Sequence, residues 1–334
     1  MYRVDLMLVT PTKKIFPLAC SIFITVGCSP APQSTLDSKK SVYNGSAHIT
    51  QGMAKTMHAN LFECDNGRSR VSGIGEIVDA RGNVWTVPAE NNFTKATKAI
   101  DLYEECANIK PQSLDDVDET SVPVSVIDVD GEVVTGYIFA DNYFELYING
   151  TLIAVDTVPF TPFNSSIVKF KVKAPYTIAV KAIDWEENLG LGTEANRGNA
   201  YHAGDGGFIA SFSDGTVTGP QWQAQTFYTA PIYDLSCLRE IDNQRLSDTC
   251  NTKGTDHGEN AFAAHWKVPK DWMSKEFDAS YWPQATLYSE DVIGVNNKKS
   301  YMNFIEKFSG TGARFIWSTN VVLDNEVLMR YEVK

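Results

Sequence analysis

Tyr143-Phe-Glu-Leu-Tyr-Ile148 and Thr151-Leu-Ile-Ala-Val155 are two β-rich runs that meet at the pair Asn149-Gly150. Both residues of such a pair tolerate the left-handed angles of a tight two-residue turn, so the stretch predicts a β-hairpin. Working outward, the same punctuation recurs. Val124–Val129 and Glu132–Phe139 flank Asp130-Gly131, and strands are predicted at 167–172, 177–183, 207–212, 223–228, 313–317 and 326–333. Many short strands with few helical periods argue for an all-β sandwich over residues 120–334. The connection from about 236 to 275 lacks a period and reads as a long clamped loop.

Upstream, residues 58–119 read as a small α+β module. Gly73–Val87 predicts a hairpin turning at Ala80-Arg-Gly-Asn83. Thr94 is placed to cap a helix reaching Cys106, with Ala99, Leu102, Tyr103 and Cys106 on one face. Residues 28–57, polar and rich in Ser and Pro, read as a flexible tether. The acidic run Asp115, Asp116, Asp118, Glu119 reads as a solvated linker.

The first 27 residues resemble a secretory signal. Lys13-Lys14 precede a 12-residue apolar run, Ile15–Val26, too short to span a bilayer about 30 Å thick. Val26-Gly27-Cys28 is similar to the lipobox of bacterial lipoproteins, with Thr25 where Leu is usual. The resemblance implies export and a lipid on Cys28, and Ser29, which is not Asp, points to the outer membrane. Cys20, after Pro17-Leu18-Ala19, is the poorer lipid site. Removing residues 1–27 takes away three basic residues and one acidic residue, which moves the net charge from −12 to −14. An acidic exported chain repels phosphate backbones, which disfavours nucleic acid as a partner. Export also suits disulfides. Cys64, Cys106, Cys237 and Cys250 allow three pairings, and pairing between neighbours in sequence is expected because it keeps each bridge within its own segment. No CxxC and no nearby His pair supports zinc. Sequons at Asn44, Asn92, Asn149 and Asn164 are short enough to arise by chance.

Residues 138–331 resemble the galactose-binding-like jelly-roll modules attached to bacterial glycosidases. The resemblance rests on Ala140-Asp-Asn-Tyr-Phe-Glu-Leu-Tyr-Ile-Asn149-Gly150-Thr-Leu-Ile153, on Val168-Lys-Phe-Lys-Val followed by Tyr176-Thr-Ile-Ala-Val-Lys-Ala, on Gly206-Gly-Phe-Ile-Ala-Ser-Phe-Ser-Asp-Gly215 with Trp222-Gln-Ala, and on Phe277-Asp-Ala-Ser-Tyr-Trp282-Pro-Gln-Ala. It implies a jelly-roll sandwich and is weaker for the ligand, since such folds carry sugars, peptides, lipids or nothing.

Asp184, Glu186 and Asn188 alternate along a strand end before Gly190, which predicts three hard oxygens on one side and makes calcium the expected cofactor. The Gly-rich loop 199–207 brings Tyr201, His202 and Asp205 as polar ligand groups. Trp185, Trp222 and Trp272, each among polar neighbours, are expected as solvent-facing platforms for sugar rings. No GxSxG, P-loop, HExxH or Cys/His nucleophile pair occurs. The expected function is therefore a surface lipoprotein binding glycans without chemistry. A hydrolase or metal-dependent enzyme using residues 184–207 and a purely structural surface module are the alternatives.

Overall fold

The chain folds as an all-β sandwich whose strands are mostly long-range antiparallel pairs. The computed structural model describes residues 43–65, 69–196, 199–252 and 260–334. The signal, Cys20, Cys28 and the first part of the tether lie outside the described residues, as does the side chain of Tyr201.

In chain order the strands are β1 (His48–Gln51), β2 (Lys55–His58), β3 (Ile74–Val78), β4 (Val84–Val87), β5 (Ile100–Tyr103), β6 (Val124–Val126) and β7 (Glu132–Asp141). Next come β8 (Tyr143–Ile148), β9 (Thr151–Val155), β10 (Ser165–Val172), β11 (Tyr176–Ile183), β12 (Glu194–Asn196), β13 (Asn199–His202) and β14 (Gly207–Phe212). The last are β15 (Gln223–Ile232), β16 (Arg239–Ile241), β17 (Gln244–Leu246), β18 (Phe262–His265), β19 (Thr286–Tyr288), β20 (Phe315–Trp317) and β21 (Asp324–Val333). One seven-stranded sheet runs β1-β18-β15-β21-β11-β8-β9. The other runs β19-β20-β14-β7-β10-β5, with β6 added in parallel to β10.

The main core lies between these sheets. Leu146, Ile178, Val180 and Met329 of the first meet Ile138, Phe170, Phe208 and Phe315 of the second. The first sheet is covered on its other face as well, where Tyr147, Ala179, Phe227 and Leu328 pack against Trp266, Trp272 and Trp282. Covering on both faces is why β8 and β11 are buried along their whole length, Glu145 and Lys181 included. The hairpin of β8 and β9 turns where expected: Asn149 and Gly150 both have positive φ, at 49° and 82°. The Asn149 Oδ1 also accepts the amide of Thr177 at 2.9 Å, tying the turn to β11.

Three expectations are corrected. The tether does not extend to residue 57, because β1 pairs with β18 and β2 pairs with β3. No helix forms over 94–106. Its amides are drawn into the sheet instead: Ala99 N donates to Val155 O, and β5 joins β10. Glu104 then turns the chain by accepting the amides of Cys106 (2.7 Å) and Ala107 (2.6 Å). Tertiary pairing overrides a weak local helical preference. The connection 236–275 is also more structured than expected, since it contains the β16–β17 hairpin and supplies β18. The bridges Cys64–Cys106 and Cys237–Cys250 follow the neighbour pairing.

Candidate functional site

Two large clefts mark the molecule, one against the first sheet and one at the ends of β5 and β7. The larger, of about 1130 Å³, opens on the outer face of the first sheet. Tyr147, Lys181, Tyr228, His265 and Glu326 rise from five of its strands, and Trp85 on β4 borders them. Three rings form a column: Trp85 stacks on His265 (centroids 5.0 Å, 23°), and His265 stacks on Tyr228 (4.8 Å, 18°). Burial pushes the His265 imidazole down to about 3, and its Nε2 pairs with Thr50 Oγ1 at 2.8 Å. The column is therefore uncharged at neutral pH. Trp85 is only half-buried, and its indole N–H donates to Asp79 at 3.2 Å. Asp79 also takes the amides of Arg81 and Asn83 at the tip of the β3–β4 hairpin, which fixes the hairpin that carries the ring.

Polar groups ring this column. Lys181 pairs with Glu326 at 3.2 Å and donates to the Glu90 carbonyl at 2.8 Å. Asn91 and Asn92 stand at the wall, and Lys95, Lys267 and Lys270 are exposed at the margin. That wall is pinned by Glu145, which is fully buried on β8. Glu145 accepts Asn92 N (2.5 Å), Asn92 Nδ2 (2.9 Å), the Tyr147 hydroxyl (2.5 Å) and the Tyr143 hydroxyl (3.2 Å).

The second cleft, of about 820 Å³, has an acidic floor. Asp141 ends β7, Asp184 follows β11, Glu194 opens β12 and Asp205 lies between β13 and β14. Arg70 holds Glu187 through two bonds (3.1 and 3.0 Å) and Glu194 through one (3.0 Å), with its guanidinium over the Phe160 ring. His202 Nδ1 stands 3.9 Å from Glu194. Lys298 lies over Phe163 at the mouth. Burial, reinforced by the other carboxylates, raises Asp141 and Asp184 well above the usual range, and Asp205 to about 6.

These positions settle where the sequence candidates stand. Asp205 lines the acidic cleft with Asp141, Glu194 and Arg70, three residues that the sequence reading passed over, while Asp184 lies buried beside Gly204 and Glu194 and His202 stands 3.9 Å from Glu194. Glu186 and Asn188 do not complete a calcium set with Asp184. Glu186 accepts Gly190 N at 2.6 Å and the Tyr228 hydroxyl, and Asn188 bonds Thr193 across the turn. Among the described residues, no three His, Cys, Asp or Glu side chains are placed to hold a metal ion. The tryptophan platforms are corrected too. Trp185 and Trp222 are core residues at 1% and 0% exposure, and Trp272 at 2% supports the larger cleft from below. Trp222 lies flat on Tyr331, and Trp185 meets Tyr143 edge-on. Sequence reasoning overlooked Trp85 in favour of these three. Its signal was a bulky ring on a short hairpin strand just past a Gly turn. No family model, curated protein or solved structure matches the chain.

Proposed function

We propose that the chain is an exported lipoprotein, anchored through Cys28, whose sandwich binds glycans in the larger cleft without chemistry. The observation that carries this reading is the Trp85–His265–Tyr228 column set among amides, lysines and carboxylates. A sugar ring offers apolar C–H faces and a rim of hydroxyls. A half-exposed indole matches the first, and Asn91, Lys95 and Lys270 match the second. The cleft volume fits a ligand of oligosaccharide size, since small-molecule sites occupy roughly 300–1,000 Å³. The resemblance of residues 138–331 to galactose-binding-like modules and the acidic charge of the chain agree with it.

A glycan array probed with the full chain tests the reading. We expect signals on plant, algal or microbial polysaccharides, reduced at least tenfold by Trp85→Ala and weakened by Lys270→Ala, whose exposed side chain leaves folding intact. Wild-type protein without signal would move the sandwich to a structural role. A hydrolase working through the acidic cleft is the second reading, favoured by the raised, half-exposed Asp205. Release of reducing ends from a bound polysaccharide, abolished by Asp205→Asn, would establish it over pure binding.

A further inference from the structure

The acidic cleft contains more negative charge than its neighbours balance. Four carboxylates come from four separate segments, and the basic side chains that face them are Arg70, His202 and Lys298. Arg70 is already shared between Glu187 and Glu194. Among the described residues, Asp141 Oδ1 accepts only the side-chain amide of its own neighbour, Asn142, at 2.7 Å. Asp184 Oδ1 has no hydrogen-bond partner among the described residues, although Asp184 is 4% exposed. A buried carboxylate oxygen left without a donor is costly, so something must neutralise it.

Gly204 marks where. A Cβ built there would sit 2.9 Å from Glu194 Oε1 and 3.4 Å from Asp184 Oδ1, so both oxygens close on this stretch of backbone and an added side chain would displace them. The φ of Gly204 is not in the left-handed region, so turn geometry does not demand glycine at this position. We propose that the carboxylates gathered around Gly204 form a cation site for a hard divalent ion of the calcium type, with Asp184 and Glu194 as first donors and Asp141 and Asp205 closing on it. The donors are all oxygens, which selects calcium or magnesium over the softer transition metals. They come from loops and strand ends rather than a rigid octahedral cage, which favours calcium. No three of these side chains share one centre as they stand. Binding must therefore draw Asp205 and Glu194 inward, and Glu194 loosens from Arg70 as it does so. This set keeps only Asp184 from the trio that the sequence suggests, and it is independent of glycan binding in the other cleft.

The test is thermal unfolding and calorimetric titration of chelator-treated full-length protein with calcium chloride, magnesium chloride and methylammonium chloride. Calcium at a hundredfold excess over its dissociation constant should raise the melting temperature by on the order of 5 °C. Gly204→Ala, which adds bulk without changing charge, and Asp184→Asn should each weaken calcium binding at least tenfold. Asp205→Asn, at a half-exposed position, serves if either variant fails to fold. An unchanged melting curve would overturn the proposal, as would calcium binding that survives all three substitutions. A response to methylammonium alone would assign the cleft to an organic ammonium ligand. Stabilisation by Asp184→Asn with no calcium response would mean that a shared proton does the neutralising.

Discussion

Asp156 shows how one buried group sets a pH response. Asn164 Nδ2 donates to its Oδ1 at 2.6 Å and Val158 N at 3.2 Å, yet burial still pushes the carboxyl up to about 8. In the unfolded chain it would titrate near 3.9. A raised pKa means that the folded state binds a proton that the unfolded state releases. Its stabilisation is complete below about pH 4 and fades as the pH rises through 8. We expect Asp156→Asn to melt above wild type at pH 8–9 and no higher than wild type at pH 4, measured by thermal unfolding across that range. His265 works in the other direction. Its pKa is depressed from an ordinary 6.5 to about 3, so its contribution is whole above pH 6.5 and is lost as the pH falls toward 3. Replacing it by Gln should flatten the acid side of the profile. The same residue-scale logic closes the sequon at Asn164, whose amide is 3% exposed and already bonded to Asp156.

At the scale of elements, Glu145 is the joint between sheet and cleft wall. It gathers four donors at zero exposure, so truncation leaves a backbone amide, a side-chain amide and two hydroxyls competing for nothing. Glu145→Ala should cost more than about 3 kcal/mol in denaturant unfolding, since each buried donor left unpaired costs roughly 1–3 kcal/mol. It should also speed amide exchange across residues 89–95. Strands were the legible elements, because their signals are local. Asn149-Gly150 fixed one hairpin, and β8, β9 and β14 begin and end where the β-rich runs do. The helix expected over 94–106 failed because its competitor, the β9–β10 edge that captures Ala99 and Ile100, lies about fifty residues away or more. β18 escaped notice for a similar reason: Phe262–His265 is short, and it is a strand only because β1 and β15 flank it.

For the whole molecule, the candidate site was half legible. The segment 184–207 was recognised as chemically unusual, and it does reach a cleft. Its partners Arg70, Asp141 and Lys298 come from far along the chain, and no spacing rule links them. The tryptophans were misread because sequence does not reveal that the first sheet is covered twice, by the second sheet and by residues 266–282. Anchoring is tested at this scale as well. Growth with a fatty-acid analogue should label the wild-type chain, and Cys28→Ser should abolish the label and leave the protein uncleaved or soluble. An unlabelled wild type would make the chain a simple secreted protein.

The described fold begins at Tyr43, ahead of residue 58 where the sequence places its first module, and this bears on what an anchored protein could reach. Tyr43 and Ser46 both bond Glu240, and β1 enters the sheet five residues after Tyr43. With Cys28 as the point of attachment, only fourteen residues separate lipid from folded body. Even drawn out fully, they give a leash of about 50 Å. Under the proposed anchoring the clefts would sweep only a thin shell above the bilayer. A polymer held farther out would pass untouched, so the proposed ligand would have to be delivered to the surface or already belong to it.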